Sequence, residues 1–240
     1  MQGVPSRHPP GIVCMLSGEL TRYGVSMQSL MTLQAPNGSA VNWQMGMRIS
    51  MQINNCLQSV IDNPNMQWAW IMGDDHTFDP QVLLRLLEHD LDVVAPLCLS
   101  RLAPLDPVIV EHDHKPKGRL KYLEDLPRGG LYKLRPEETC GDAGLLIRRH
   151  ALERLGPPWY EKQDSGSHQA EDQEFIKKVK AAGLDVHIDL DNPIGHVSNM
   201  TVLPIRVNGH WETRLMTGGR HICDFAVPKR ARDGVEQLAS

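Results

Sequence analysis

Five apolar residues, Trp68-Ala69-Trp70-Ile71-Met72, run into Gly73, two acids (Asp74 and Asp75) and an imidazole, His76. A run of that length and composition predicts a buried strand, and Asp79-Pro80 supply the N-cap and first position of a helix shortly after it. The acids and His76 therefore sit at a strand's carboxyl end, where open α/β sheets bind their ligands. Adjacent carboxylates repel unless a cation separates them, and a divalent metal carrying a phosphate-bearing substrate is the usual resident of such a turn. Taken alone, the same residues describe a solvated connection between strand and helix equally well, so the choice rests on the rest of the chain.

That remainder alternates strands with helices. Residues 11–16 predict a first strand ending at Ser17-Gly18, and 26–33 a helix. A long Met-rich helix is expected from the Asn37-Gly38-Ser39 turn to the stop at Asn63-Pro64. Val82, Leu83, Leu86 and Leu87 repeat at helical spacing behind Asp79, and 92–96 read as the next strand. Residues 101–138, rich in Pro, Gly and charge, read as an excursion of loops and short strands, the kind of segment that shapes a second substrate's site. Cys140-Gly141-Asp142-Ala143-Gly144 leads into the apolar 145–147, and a short helix over 149–155 stops at Gly156-Pro157-Pro158. Glu171-Asp172 open a further helix with Phe175, Ile176 and Val179 as its buried stripe and Gly183 at its end. Residues 185–190 alternate as a half-buried strand before the turn at 192–196. Such alternation implies an α/β fold with a mostly parallel central sheet and helices on both faces. One domain over 1–240 is expected, with 1–10 as an N-terminal arm and about 205–240 as a C-terminal flap or tail.

Composition narrows the function classes. The five cysteines (Cys14, Cys56, Cys98, Cys140, Cys223) are odd in number and widely spaced, with no Cys-x-x-Cys pair, which argues against a disulfide framework and a structural zinc site. Reduced, mostly buried thiols are expected. A net charge of −4 gives no general reason to bind nucleic acid, and the basic clusters at 148–150 and 229–232 read as solvated faces. Residues 1–10 lack an apolar signal core and no apolar run reaches membrane-spanning length, so a cytoplasmic protein without a transmembrane segment is expected.

Four pieces in order then carry a resemblance: the first strand ending at Ser17-Gly18, the acidic turn after 68–72, Glu171-Asp172 opening a helix, and Gly195-His196 after the next strand. Over roughly 11–197 the chain resembles the GT-A-fold glycosyltransferases, in particular the inverting family-two-like enzymes of bacteria and phages. The resemblance implies transfer of a sugar from a nucleoside-diphosphate sugar donor to a hydroxyl acceptor, which could be a glycan, a lipid, a protein or a modified nucleic-acid base. In that family the acidic turn is an Asp-x-Asp motif. Gly73-Asp74-Asp75 matches it with the first acid missing, which puts Asp75 in the metal-binding position and Asp74 in the middle one. His196 is implied as a second metal ligand, with Asp74 or His76 compensating for the lost acid. An Asp oxygen with an imidazole suits Mn²⁺, or else Mg²⁺.

By the same resemblance Asp172, beside Glu171, is the catalytic base. Ser17 and Gly18 would approach the nucleotide, Tyr23 would stack on its base, and Arg48 would face the donor, although the asparagine expected next to it is Ile49. Gly141 to Gly144 match a small-residue turn beneath the acceptor, and Trp211 either closes over the sugar or belongs to the core of the C-terminal flap. Two rivals remain. A sugar-phosphate nucleotidyltransferase would carry a Gly-rich basic loop after the first strand, of which 17–22 is a poor version, and Gly73 keeps open a non-catalytic nucleotide- or carbohydrate-binding protein.

Overall fold

Residues 68–73 form the strand that their composition predicts, and it lies near the middle of a large sheet. The computed structural model describes residues 1–18, 24–101, 105–112, 118–161, 171–198, 200–208, 210–217 and 220–226. The elements run β1 (Gln2–Val4), β2 (Ile12–Ser17), α1 (Gly24–Thr32), β3 (Gln34–Pro36), β4 (Ala40–Met45), α2 (Ile49–Asp62), β5 (Trp68–Gly73) and β6 (His76–Thr77). There follow α3 (Val82–Glu88), β7 (Val93–Cys98), β8 (Ile109–Glu111), β9 (Arg119–Leu120), a 3-10 turn (Leu123–Asp125), β10 (Leu131–Lys133), β11 (Glu138–Cys140) and β12 (Leu145–Arg148). The last are α4 (Arg149–Leu155), α5 (Glu171–Ala181), β13 (Val186–His196), β14 (Met200–Val207), β15 (His210–Thr217) and β16 (Arg220–Ala226).

The central sheet has the order β10-β13-β7-β12-β5-β2-β4, with β6 paired to the far end of β13. Pairing is parallel on each side of β12, in β4-β2-β5 and in β7-β13, while β12 itself and the edge strand β10 run antiparallel. The reason lies in the connections. A parallel strand needs a crossover that returns the chain to its starting edge, whereas the segment between β7 and β12 leaves and re-enters at one edge, and Leu145 comes in opposite Ile71. Successive residues of β2 then serve two cores. Ile12, Cys14 and Leu16 pack with α2, α4 and α5, and Val13 and Met15 pack with α1 and α3, so helices cover both faces.

The long helix expected from residue 39 begins only at Ile49. Residues 40–45 are instead an edge strand, exposed at Val41, Trp43 and Met45 and more covered between them, a period of two that suits pairing with β2. Gly46, at φ +76°, turns the chain, and the helical stripe Ile53, Cys56, Leu57 and Val60 starts after it. Downstream, α5 opens at Glu171, and Gly183 follows its end at φ +73°.

Contacts divide the chain into two compact units, 1–100 with 106–197 and 101–105 with 198–240. The first contains the large sheet. The second contains the antiparallel meander β14-β15-β16, where Arg214 donates to both carboxylate oxygens of Asp224 at 2.9 Å. Among the described residues no helix is long and apolar enough to cross a membrane.

The segment between β7 and β12 forms its own three-stranded sheet, β11-β8-β9, around a buried cation. Lys121 is 1 % exposed, and its Nζ lies 2.8 Å from Glu111 and 3.0 Å from Glu138. Glu138 is fully buried and also accepts hydrogen bonds from the Tyr132 hydroxyl and the Arg135 backbone N–H. Removing one partner of such a cluster leaves a charge stranded away from water. Lys121→Met is therefore expected to lower the unfolding free energy by about 3–5 kcal/mol in urea titration. Lys133→Ala, which opens the exposed pair with Asp185, should change it by less than about 1 kcal/mol.

Candidate active site

The turn after β5 reaches the far end of β13 through two residue pairs, Thr77 opposite Gly195 and His76 opposite His196. Glycine at 195 permits this approach: a Cβ there would fall 2.4 Å from Thr77 Oγ1, which would have to move. Between Asp189 and Ile194 the register of β13 shifts, and Ile194 comes to lie opposite Cys98 at the end of β7. Three strand ends thus converge at one edge of the sheet, bringing His76, Cys98 and His196 together with their ligand atoms all within 4.8 Å of one another.

Asp75 sits between the two imidazoles. Its Oδ2 is 3.2 Å from His196 Nε2 and its Oδ1 is 3.0 Å from His76 Nδ1. The rings stack with centroids 4.5 Å apart. His196 Nδ1 lies 3.0 Å from the Leu99 carbonyl, to which only an N–H can donate, so Nε2 is the atom turned toward Asp75. His76 is 6 % exposed; its Nδ1 lies at ion-pair distance from Asp75, and its Nε2 has no hydrogen-bond partner. Burial opposes charge on His76 and His196, but Asp75 and Cys98 outweigh it and raise them to about 9 and about 10. Asp75 is held well below the ordinary carboxylate range, since the two imidazoles overcome its burial. Burial likewise raises the Cys98 thiol, yet His196 and His76 bring it below its usual value.

Gly73, at the position of the missing acid, has a steric explanation. A Cβ on it would lie 2.8 Å from Asp75 Oδ1 and 3.0 Å from His76 Nδ1, so the His76 ring fills the space that a longer residue at 73 would need. Asp74 is half-buried, and its backbone N–H donates to Leu16 at 3.1 Å.

A cavity of about 200 Å³ is lined by Ile49, Ile53, Asp142, Tyr160, Glu171 and Asp172, and the cluster is near enough for the His76 charge to act on Asp142. Asp172 stands in the first turn of α5, where its Oδ1 accepts the Gln173 backbone N–H at 2.7 Å. Its Oδ2 would lie in ordinary van der Waals contact, 3.5 Å, with a Cβ on Gly141, so the carboxylate stands beside the small-residue turn. Burial raises the Asp172 carboxyl in spite of the backbone donors. Asp142 is raised to about 7, first by burial and then by the charge of Asp172, while His76 pulls it the other way. Sequence reasoning marked the turn at 141–144 but not Asp142 as a partner of Asp172, because the two meet only when α5 packs beside β11.

The remaining candidates are dispersed. Ser17 is fully buried; its N–H and carbonyl bind the Gln52 side chain and its Oγ accepts from Trp43 Nε1 at 2.8 Å. Gly18 is exposed, with open space where a side chain would be. Arg48 is exposed and caps α2 instead of lying within it. Trp43, 41 % exposed beside Ser17, was missed while 40–45 read as helix. Tyr23 lies outside the described residues, as does the side chain of Trp211, whose backbone is part of β15.

No protein-family model and no curated protein matches this sequence. Solved structures do. STIV protein A197 is 10 % identical with a TM-score of 0.51, over 92 % of this chain and 99 % of its own. GalNAc-T7, solved with UDP, GalNAc and Mn²⁺, is 10 % identical with a TM-score of 0.52, over 85 % of this chain but only 45 % of that one. The fold is GT-A-like. At such identity the likeness concerns the architecture, a large central sheet covered by helices, and leaves the chemistry to the residues.

The raised carboxyl of Asp142 makes a pH prediction. A folded-state value of about 7 against an ordinary 3.8 means that the neutral acid favours the fold; this stability is fully present below about pH 4 and is lost as pH rises through about 7. Asp142→Asn should remove that loss, so its melting temperature should gain on the parent's between about pH 5 and pH 8. Parallel curves for the two proteins would show that Asp142 ionises normally.

Proposed function

We propose that this chain is a glycosyltransferase that moves a sugar from a nucleoside-diphosphate sugar to a hydroxyl acceptor with inversion. The observation that carries the proposal is the pairing, at one sheet edge, of a carboxylate cavity with an Asp and imidazole cluster. Asp172 takes the proton of the acceptor hydroxyl while that oxygen attacks the anomeric carbon, and the bond to the diphosphate breaks with its electron pair leaving on the phosphate oxygen. Attack opposite the leaving group inverts the centre. Its raised value makes Asp172 a stronger base once ionised, and Asp142 beside it shares the charge of the pair, so transfer should increase as pH rises through their titration. Glu171 lines the same cavity and keeps the field negative around the incoming hydroxyl.

The residues fit a divalent cation. His76 is a buried imidazole whose Nε2 has no hydrogen-bond partner, and His196 is oriented by a backbone carbonyl in the manner of a metal-bound histidine. Asp75 and His196 would hold the ion, with His76 and Cys98 adjoining and Asp74 in the same turn. When bound, such a cation, Mn²⁺ or Mg²⁺ by the family resemblance, supplies charge neutralisation to the leaving diphosphate. Gly18, where nothing lies within reach of a side chain, and the partly exposed Trp43 beside Ser17 suit the nucleotide end of the donor, with Arg48 and Tyr23 as further donor contacts. The turn at 141–144 and the segment between β7 and β12 would face the acceptor, whether glycan, lipid, protein or modified nucleic-acid base.

Asp172→Asn keeps the shape and the hydrogen bond to Gln173 but cannot accept a proton. It should lower transfer by about 10²–10⁴-fold while donor binding and melting temperature stay near the parent's. Glu171→Gln should be milder. Near-normal transfer by Asp172→Asn would remove it from the mechanism, and donor binding by the parent with no transfer to any acceptor class would mark a binding protein. A nucleoside diphosphate with a divalent cation should raise the melting temperature, because a ligand held only by the folded state stabilises it.

A further inference from the structure

We propose that His76, Cys98 and His196, with Asp75, form a site for a thiophilic divalent cation of the Zn²⁺ or Co²⁺ kind, in preference to Mn²⁺ or Mg²⁺. The proposal concerns the same edge of the sheet as the transferase reading and rests on it only for the cation's purpose, since its own support is the donor set. Two imidazoles and a thiol lie with their ligand atoms within 4.8 Å of one another, and Asp75 adds a carboxylate against both rings. Nitrogen and sulfur donors suit Zn²⁺, which takes four ligands, whereas Mg²⁺ and Mn²⁺ favour a shell of oxygens.

Four further features agree with a soft-donor site. His76 is nearly wholly buried; its Nδ1 pairs with Asp75 at 3.0 Å, but its Nε2 has no hydrogen-bond partner, which is costly for a buried imidazole nitrogen unless something binds it. His196 is held through Nδ1 by the Leu99 carbonyl, leaving Nε2 toward the cluster, the arrangement that fixes a ligating tautomer. Gly73 removes a hard oxygen donor from the turn, and its missing Cβ makes room for the nitrogen ligand His76. Cys98 is 2 % exposed and its S–H points to the Leu99 carbonyl at 3.6 Å, so this thiol is shielded from solvent while it adjoins both rings. On binding, the thiol proton and any protons on the facing imidazole nitrogens pass to solvent and the cation takes their place.

The test reads coordination, not turnover. The full chain, stripped with a chelator, is titrated with Co²⁺ and followed by absorption. One Co²⁺ per chain is expected, with a sulfur-to-metal charge-transfer band and the visible bands of a four-coordinate ion; Zn²⁺ should abolish both, and a large excess of Mn²⁺ should leave them in place. Cys98→Ser should lose the charge-transfer band and weaken Zn²⁺ binding by at least about 10–100-fold, while Cys223→Ser, at an exposed thiol, keeps it. Should Cys98→Ser fail to fold, X-ray absorption of the Zn²⁺-loaded parent decides: one sulfur with nitrogen and oxygen neighbours supports the proposal, and an all-oxygen and nitrogen shell overturns it. Displacement of Co²⁺ by equimolar Mn²⁺, or no bound ion at all, also overturns it. A sulfur-ligated ion in a chain without transferase activity removes the transferase reading alone, and Mn²⁺-dependent transfer without a sulfur ligand removes this proposal alone.

Discussion

The short pairing of β6 with the end of β13 is the contact on which the site depends. It sets His76 against His196 and Thr77 against Gly195, and the Val197 N–H adds a hydrogen bond of 2.7 Å to the Asp75 carbonyl. Without it the turn after β5 would be an exposed loop and its acids would have no fixed neighbours. With it, Asp75 lies between two rings and the buried His76 is committed to the cluster. The close approach it demands also explains glycine at 73 and 195, both of which lie where a Cβ would meet a neighbouring side chain.

A second constraint is electrostatic. Asp142 and Asp172 share a cavity and oppose each other's ionisation, whereas Asp75 and the imidazoles, of which His76 acts electrostatically on Asp142, favour charge on one another. The edge of the sheet therefore carries a region that resists negative charge next to one that holds a carboxylate and positive rings. An arrangement of this kind allows proton acceptance at one point and the binding of an anion or metal at the other. The buried Lys121 and Glu138 in the segment between β7 and β12 have a different character: every oxygen of Glu138 is satisfied internally, which marks that cluster as a support for the neighbouring small sheet.

Much of the architecture was legible from local pattern. Apolar runs of strand length, the stripe Phe175, Ile176 and Val179, and the stop at Gly183 are short-range signals, and they recur as β5, β2 and α5. Residues 40–45 were misread because their mixed apolar spacing satisfied a helix template over a long window. Pairing with β2 decided for a strand, and that pairing is invisible to local propensity. The direction of β12 was equally hidden, since it depends on where the preceding segment re-enters the sheet.

Sequence order alone determined the strand-to-helix alternation and the acidic turn at a strand's carboxyl end, because both arise from side-chain periodicity and composition within a few residues. Only the tertiary structure decided that Cys98 joins His76 and His196, and that Asp142 meets Asp172. Those residues are brought together by strand pairing, by the register shift in β13 and by the packing of α5, and a spacing rule written for neighbouring cysteines contains no term for ligands that arrive from three separate strands.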